Sequence, residues 1–99
     1  MNTILPTTKH AAQRMNERGI APWMIREVVL NGIYIQKQGL LYHYIGRKQM
    51  PHYLSEPERN ILENLVVVES RDGMIITTYK KKGALKALKK KQKHLCRAA

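Results

Sequence analysis

The sequence predicts an α+β fold: an N-terminal αα-hairpin packed on a four-stranded antiparallel sheet, with a basic C-terminal helix. Three observations predict it. Two breaker-free segments, Lys9–Arg18 and Pro22–Leu30, stand back to back with a connection of two or three residues. After Gly32 the pattern changes to short runs rich in β-branched and aromatic residues, separated by turn chemistry. The stretch from Ala84 returns to helix-forming residues but is dominated by lysine. With 99 residues in all, the chain suits one domain, since a second core needs roughly 50 residues of its own.

Each element has a local reason. Thr8 is a good N-cap, and Gly19 suits the left-handed position that ends a helix, so the first helix spans Lys9–Arg18. At 100° per residue Ala11, Ala12 and Met15 share the arc that faces the sheet. Pro22 sits at the first position of the second helix, where its missing N–H does no harm. Met24, Ile25, Val28 and Val29 form its wide apolar stripe before Asn31-Gly32 stops it. Ile33–Lys37 and Leu40–Arg47 read as strands joined at Gln38-Gly39. Lys48–Asn60, with Pro51 and Pro57, reads as a long loop with room for one helical turn. Leu62–Ser70 is a strand whose continuous Leu65-Val66-Val67-Val68 centre expects cover on both faces. Arg71-Asp72-Gly73 turns the chain, and Met74–Lys80 returns antiparallel. Gly83 then breaks the chain before the helix Ala84–Leu95, so the domain is 1–80 and the basic helix or tail 81–99.

Charge narrows the function classes. Lys plus Arg total 18 against 7 Asp plus Glu, a net +11. Residues 1–79 hold 9 basic and 7 acidic groups, whereas residues 80–99 hold 9 basic and none acidic. Such a block attracts polyanions, RNA, DNA or ribosomal surfaces first and acidic protein partners next, and Lys80, Lys81, Lys82, Lys86, Lys89 and Lys90 are its candidate phosphate contacts. The plain alternative is a solubilising tail. No apolar run approaches the roughly 20 residues that span a bilayer. Met1–Lys9 also lacks the pattern of a secretory signal, so a soluble cytoplasmic protein is expected. Cys96 is the one cysteine, which excludes an intramolecular disulfide and a Cys-based zinc site. His43, His52 and His94 show no metal-ligand spacing, and no phosphate-binding glycine loop is present, so neither metal nor nucleotide cofactor is expected.

Two groups of residues could carry chemistry. His10, Arg14, Glu17 and Arg18 fall within an arc of about 100° on the first helix. An imidazole with a pKa near 6.5 moves protons at neutral pH, and guanidinium forks stabilise phosphorane oxygens. The alternative is that His10 caps or packs, with both arginines solvated or paired to Glu17. On the last strand, alternation places Ile75, Thr77 and Tyr79 on one face and Met74, Ile76, Thr78 and Lys80 on the other. Thr77 and Tyr79 offer a hydroxyl and a phenol, though β-propensity alone would also put them there. Tyr42, Tyr44 and Tyr53 could stack on bases, but Tyr42 and Tyr44 share a strand face and packing on the helices explains them better.

The opening Lys9-His10-Ala11-Ala12-Gln13-Arg14-Met15-Asn16-Glu17-Arg18-Gly19-Ile20 resembles an H-A-x-x-R-M-x-x-R-G-I signature. That signature begins a widespread bacterial family of small domains of unknown function, commonly grouped with the RelE/ParE/BrnT-type toxin superfamily of RNA-cleaving proteins. Ile25-Arg26-Glu27-Val28-Val29-Leu30-Asn31-Gly32 resembles the family's I-x-x-V-L-x-x-G helix end. Ile75-Ile76-Thr77-Thr78-Tyr79 is similar to its V-I-T-V-Y strand. The resemblance spans roughly residues 8–80 and implies a RelE-like domain.

In that superfamily RNA is cut without metal by attack of the ribose 2′-hydroxyl on its neighbouring phosphate. The resemblance thus implies an endoribonuclease of a toxin–antitoxin system. His10 would be the general base or acid, Arg14 and Arg18 would bind phosphate, and Thr77 and Tyr79 would position substrate. The implied partners are mRNA or ribosome-associated RNA and an acidic antitoxin. The rival expectations are a non-catalytic RNA- or ribosome-binding protein using the same basic surface, and an adaptor for an acidic protein.

Overall fold

The computed structural model describes residues 6–83. Helix α1 (Lys9–Arg18) starts where the Thr8 hydroxyl accepts the Ala11 N–H at 3.2 Å. It ends at Gly19, φ +68°, and the Ile20 N–H donates to the Met15 carbonyl at 2.8 Å. That left-handed end turns Ile20 back into the core beside Met15. Helix α2 (Pro22–Asn31) follows with Pro22 in its first turn and buries Met24, Ile25 and Val28. Ala11 and Met15 are the buried residues of α1. Ala12, expected to face the sheet, is exposed because α1 presses on the sheet with a stripe narrower than the one its alanines suggest.

Strands β1 (Ile33–Lys37) and β2 (Leu40–Tyr44) form a hairpin through Gln38 and Gly39, both with positive φ. Strand β2 stops at Tyr44 rather than Arg47, because Arg47–Gln49 winds into one 3₁₀ turn whose Gly46 N–H donates to Gln49 Oε1 at 2.8 Å. Helix α3 (Glu56–Leu62) replaces part of the expected loop Lys48–Asn60. Ser55 and Glu58 cap it reciprocally, at 3.3 and 2.7 Å, and Pro57 stands in the first turn, where it is harmless. Leu62, expected to open a strand, is the fully buried last residue of α3. Arg47 clamps the 3₁₀ turn to α3, donating to Glu56 at 3.0 Å, Glu63 at 3.3 Å and Asn60.

Strands β3 (Leu65–Glu69) and β4 (Ile75–Lys80) complete an antiparallel meander, ordered β1-β2-β3-β4. All of Leu65–Val68 is buried, as a strand covered on both faces requires. Leu65 and Val67 join Met15, Met24, Ile25, Val28, Leu62 and Ile75 in the main core. Val66 and Val68 join Ile35 on the other face, with Tyr42, Tyr44 and Tyr79 against them. Tyr42 and Tyr44 therefore pack on the face opposite the helices, which corrects the expectation that they pack on the helices. Between them His43 points to the helix side, 5% exposed, with Nε2 2.7 Å from Glu69 Oε1.

The alternation expected for β4 is broken by a bulge. Val68 faces Thr77 while Glu69 faces Ile75, which leaves Ile76 as the extra residue. Ile75 consequently joins the helix-side core, and Thr78, opposite Val67, is also buried there. Thr77 and Tyr79 still share a face, but without Ile75. Helix α1 lies beside β4 and runs in the same direction. At one end the Thr8 N–H donates to the Ile75 carbonyl at 3.0 Å and the Ile75 N–H to the Pro6 carbonyl at 2.7 Å, so Thr7 makes a single parallel bridge despite Pro6. At the other end Arg18 reaches Thr78. Among the described residues no helix is long and apolar enough to cross a membrane.

Candidate nucleic-acid interface

The site forms where the C-terminal end of α1 meets the free edge of β4. The left-handed turn at Gly19 fixes Arg18 as the last helical residue, and its Nη1 donates to the Thr78 carbonyl at 2.8 Å. This bond satisfies one outward-facing acceptor of an edge strand, covering it from solvent, and it holds a guanidinium with other N–H donors still available. Tyr79 and Lys80 follow Thr78 on opposite faces of the strand, so one flanks the edge from each side. Arg18, Ile20, Tyr79 and Lys80 line an open concavity of about 370 Å³.

The electrostatics are lopsided. Each of the seven carboxylates of the chain has a partner elsewhere. Glu17 accepts from Gln13, Glu27 from Tyr53 and Asn31, and Glu56 and Glu63 from Arg47. Glu58 caps α3, Glu69 meets His43, and Asp72 accepts from Ser70. No carboxylate lies within ion-pairing distance of Arg14, Arg18, Lys80, Lys81 or Lys82 among the described residues. The pairing of the arginines with Glu17 that the sequence left open does not form. Around the concavity the positive charge is uncompensated, and a bound anion would supply the missing partner.

The predicted site residues divide into two groups. Arg18, Tyr79 and Lys80 come together. His10 and Arg14 are exposed along α1 and do not line the concavity. His10 stands two turns before Arg18, roughly 12 Å along the axis at 1.5 Å per residue. Thr77 is half-buried on the same face as Tyr79 but is also absent from the lining. Lys81 and Lys82 are exposed just after β4, and Lys86, Lys89, Lys90 and the expected helix Ala84–Leu95 lie outside the described residues. Ile20, the apolar floor, was missed by sequence reasoning. Its signal was an aliphatic residue directly after the capping glycine, the position that folds back on a helix. Among the described residues no three His, Cys, Asp or Glu side chains gather as a metal site needs.

Burial raises the Tyr79 phenol above its ordinary range, with neighbouring Tyr42 adding to the shift. Burial, and then Glu63, raise Tyr44 likewise. A raised folded-state value means that the unfolded chain ionises first. Stability from these phenols is full below pH ~10 and falls as pH rises through the folded values. Urea midpoints at pH 8 and pH 11 check this: Tyr79→Phe should lose less stability over that interval than the wild type. An equal loss in both proteins would contradict the assignment.

No curated protein and no solved structure is significantly similar to this chain. A family model described as a domain of unknown function, DUF4258, matches residues 7–80, from the bridge ahead of α1 to the lysine that closes the concavity. The span takes in every element that builds the site, and the chain belongs to the DUF4258 family.

Proposed function

We propose that this protein acts on RNA, holding a phosphodiester at the Arg18–Tyr79–Lys80 concavity, as a metal-independent endoribonuclease of toxin–antitoxin type with a RelE-like architecture. One observation carries the RNA reading: every carboxylate is engaged elsewhere, while the two cations that line the open concavity at the edge of β4, Arg18 and Lys80, have no carboxylate partner among the described residues. Lys81 and Lys82, exposed just after β4, extend that field, and an acidic antitoxin in the cytoplasm would compete for it.

In the cleavage reaction a base takes the proton of a ribose 2′-hydroxyl as its oxygen attacks the adjacent phosphorus. The bond to the 5′-oxygen breaks, an acid returns a proton to that oxygen, and a 2′,3′-cyclic phosphate and a 5′-hydroxyl result. At the concavity itself Arg18 would stabilise a phosphorane oxygen and Tyr79 would position the ribose. Arg14 as a second phosphate ligand, Thr77 as a positioning group and His10 as base or acid would require the strand to run back along α1, since none of the three lines the concavity. A second reading, RNA or ribosome binding without cleavage, is favoured by the position of His10 outside the concavity.

Cleavage of total RNA in EDTA separates the two readings. The nuclease reading expects cutting by the wild type that falls ~10²–10⁴-fold in His10→Ala and also drops in Arg14→Ala. Equal cutting by all three proteins removes these residues from the mechanism. Salt-sensitive binding with no cutting selects the second reading.

A further inference from the structure

Resting on the RNA reading, we propose that the groove on the other flank of α1 is a subsite for one unpaired nucleobase of the strand whose phosphate sits at Arg18. Thr7, Ala12, Met15, Asn16, Ile20 and Pro22 line a second open concavity, of about 260 Å³. That is slightly below the roughly 300 Å³ at which pockets begin to take a whole small-molecule ligand. Ile20 lines both concavities, so the two adjoin at the end of α1.

The two halves differ in chemistry as the two halves of a nucleotide do. The first is cationic and takes a phosphate. The second is walled by the alanine methyl, the Met15 thioether, Ile20 and the Pro22 ring, apolar groups against which the face of a base packs. Asn16 stands among them in the last turn of α1, exposed, with no hydrogen bond from its side chain among the described residues. Its amide offers donors and an acceptor side by side, which matches the adjacent groups on the edge of a base. Only a strand with unstacked bases can present face and edge together, so the ligand is single-stranded RNA rather than a duplex.

Binding of labelled pentanucleotides tests this, one carrying bases and one abasic with the same phosphates. The wild type should bind the base-carrying strand about 5- to 150-fold more tightly. Ala12→Leu, which fills the groove from an exposed helical position, should remove most of that difference and leave abasic binding unchanged. Asn16→Ala should weaken only the base-carrying strand, by about 5- to 10-fold. Equal binding of the two strands by the wild type overturns the subsite and leaves the phosphate site standing. So does a preference that neither variant alters. Binding of neither strand removes the RNA reading and the subsite together.

Discussion

Replacing Gly32 by alanine should destabilise the protein by about 3 kcal/mol or more, the largest loss expected from adding a single carbon. Gly32 ends α2, donates its N–H to the Val28 carbonyl at 3.0 Å and leads directly into β1. Its backbone is extended, at φ −89° and ψ −164°, so conformational freedom is not the issue. Space is. A Cβ there would lie 2.3 Å from the Tyr44 carbonyl oxygen and 2.6 Å from that of Val28. Both obstacles are main chain and cannot rotate aside, so relief requires prying the end of β2 away from the end of α2.

Domains of this size have about 5–15 kcal/mol in total, so the loss is a large share of it. At 4–8 °C per kcal/mol the midpoint should fall by roughly 12–24 °C in a thermal scan. Gly19→Ala is the informative control. Its φ of +68° strains any other residue, but nothing lies within 4 Å of the added carbon, and the cost should be nearer 1 kcal/mol. A midpoint for Gly32→Ala within a few degrees of wild type would show that the α2–β1 corner yields more easily than two fixed carbonyls imply.

Gly32 also shows what the sequence made legible. Asn31-Gly32 marked the end of α2, and Thr8 and Gly19 bounded α1 at its observed limits, because helix ends are set by local backbone chemistry. The buried Val66–Val68 run was equally plain. Helix α3 was legible only as room for one helical turn in a loop, because Pro57 and the polar residues around it read as loop, although Ser55 and Glu58 stand at capping-box spacing and a proline is at home in a first turn. The β4 bulge could not be seen, since strict alternation assumes one residue opposite each partner and only the pairing with β3 reveals the extra one. The same limit applies to the site. Residue types and helical phase brought out His10, Arg14 and Arg18, but the contact that anchors Arg18 runs to a carbonyl 60 residues away. Only the packing of α1 along β4 shows that Arg18 meets Tyr79 and that His10 lies at the opposite end.

Arg18→Ala should therefore weaken RNA binding more than any other substitution on α1, by about 10- to 100-fold, while leaving thermal stability nearly unchanged. The guanidinium gives Nη1 to the Thr78 carbonyl, which fixes its plane and leaves further donors for a phosphate oxygen. A charge-assisted bond from a group already held in place loses little conformational entropy when the ligand arrives. Without the side chain, water can satisfy Thr78 at the strand edge, so the fold loses little. Two numbers separate this role from general attraction: the affinity at one salt concentration, and the slope of its logarithm against that of salt. Loss of one phosphate contact should lower the slope by about one. Arg18→Lys keeps the charge but not the fork, because an ammonium acts as a single compact charge and cannot reproduce the planar geometry. It should restore the slope and recover only part of the affinity. If Arg18→Ala matches wild type in both slope and affinity, the phosphate binds elsewhere on the basic surface, and the concavity at the edge of β4 is not where RNA is held.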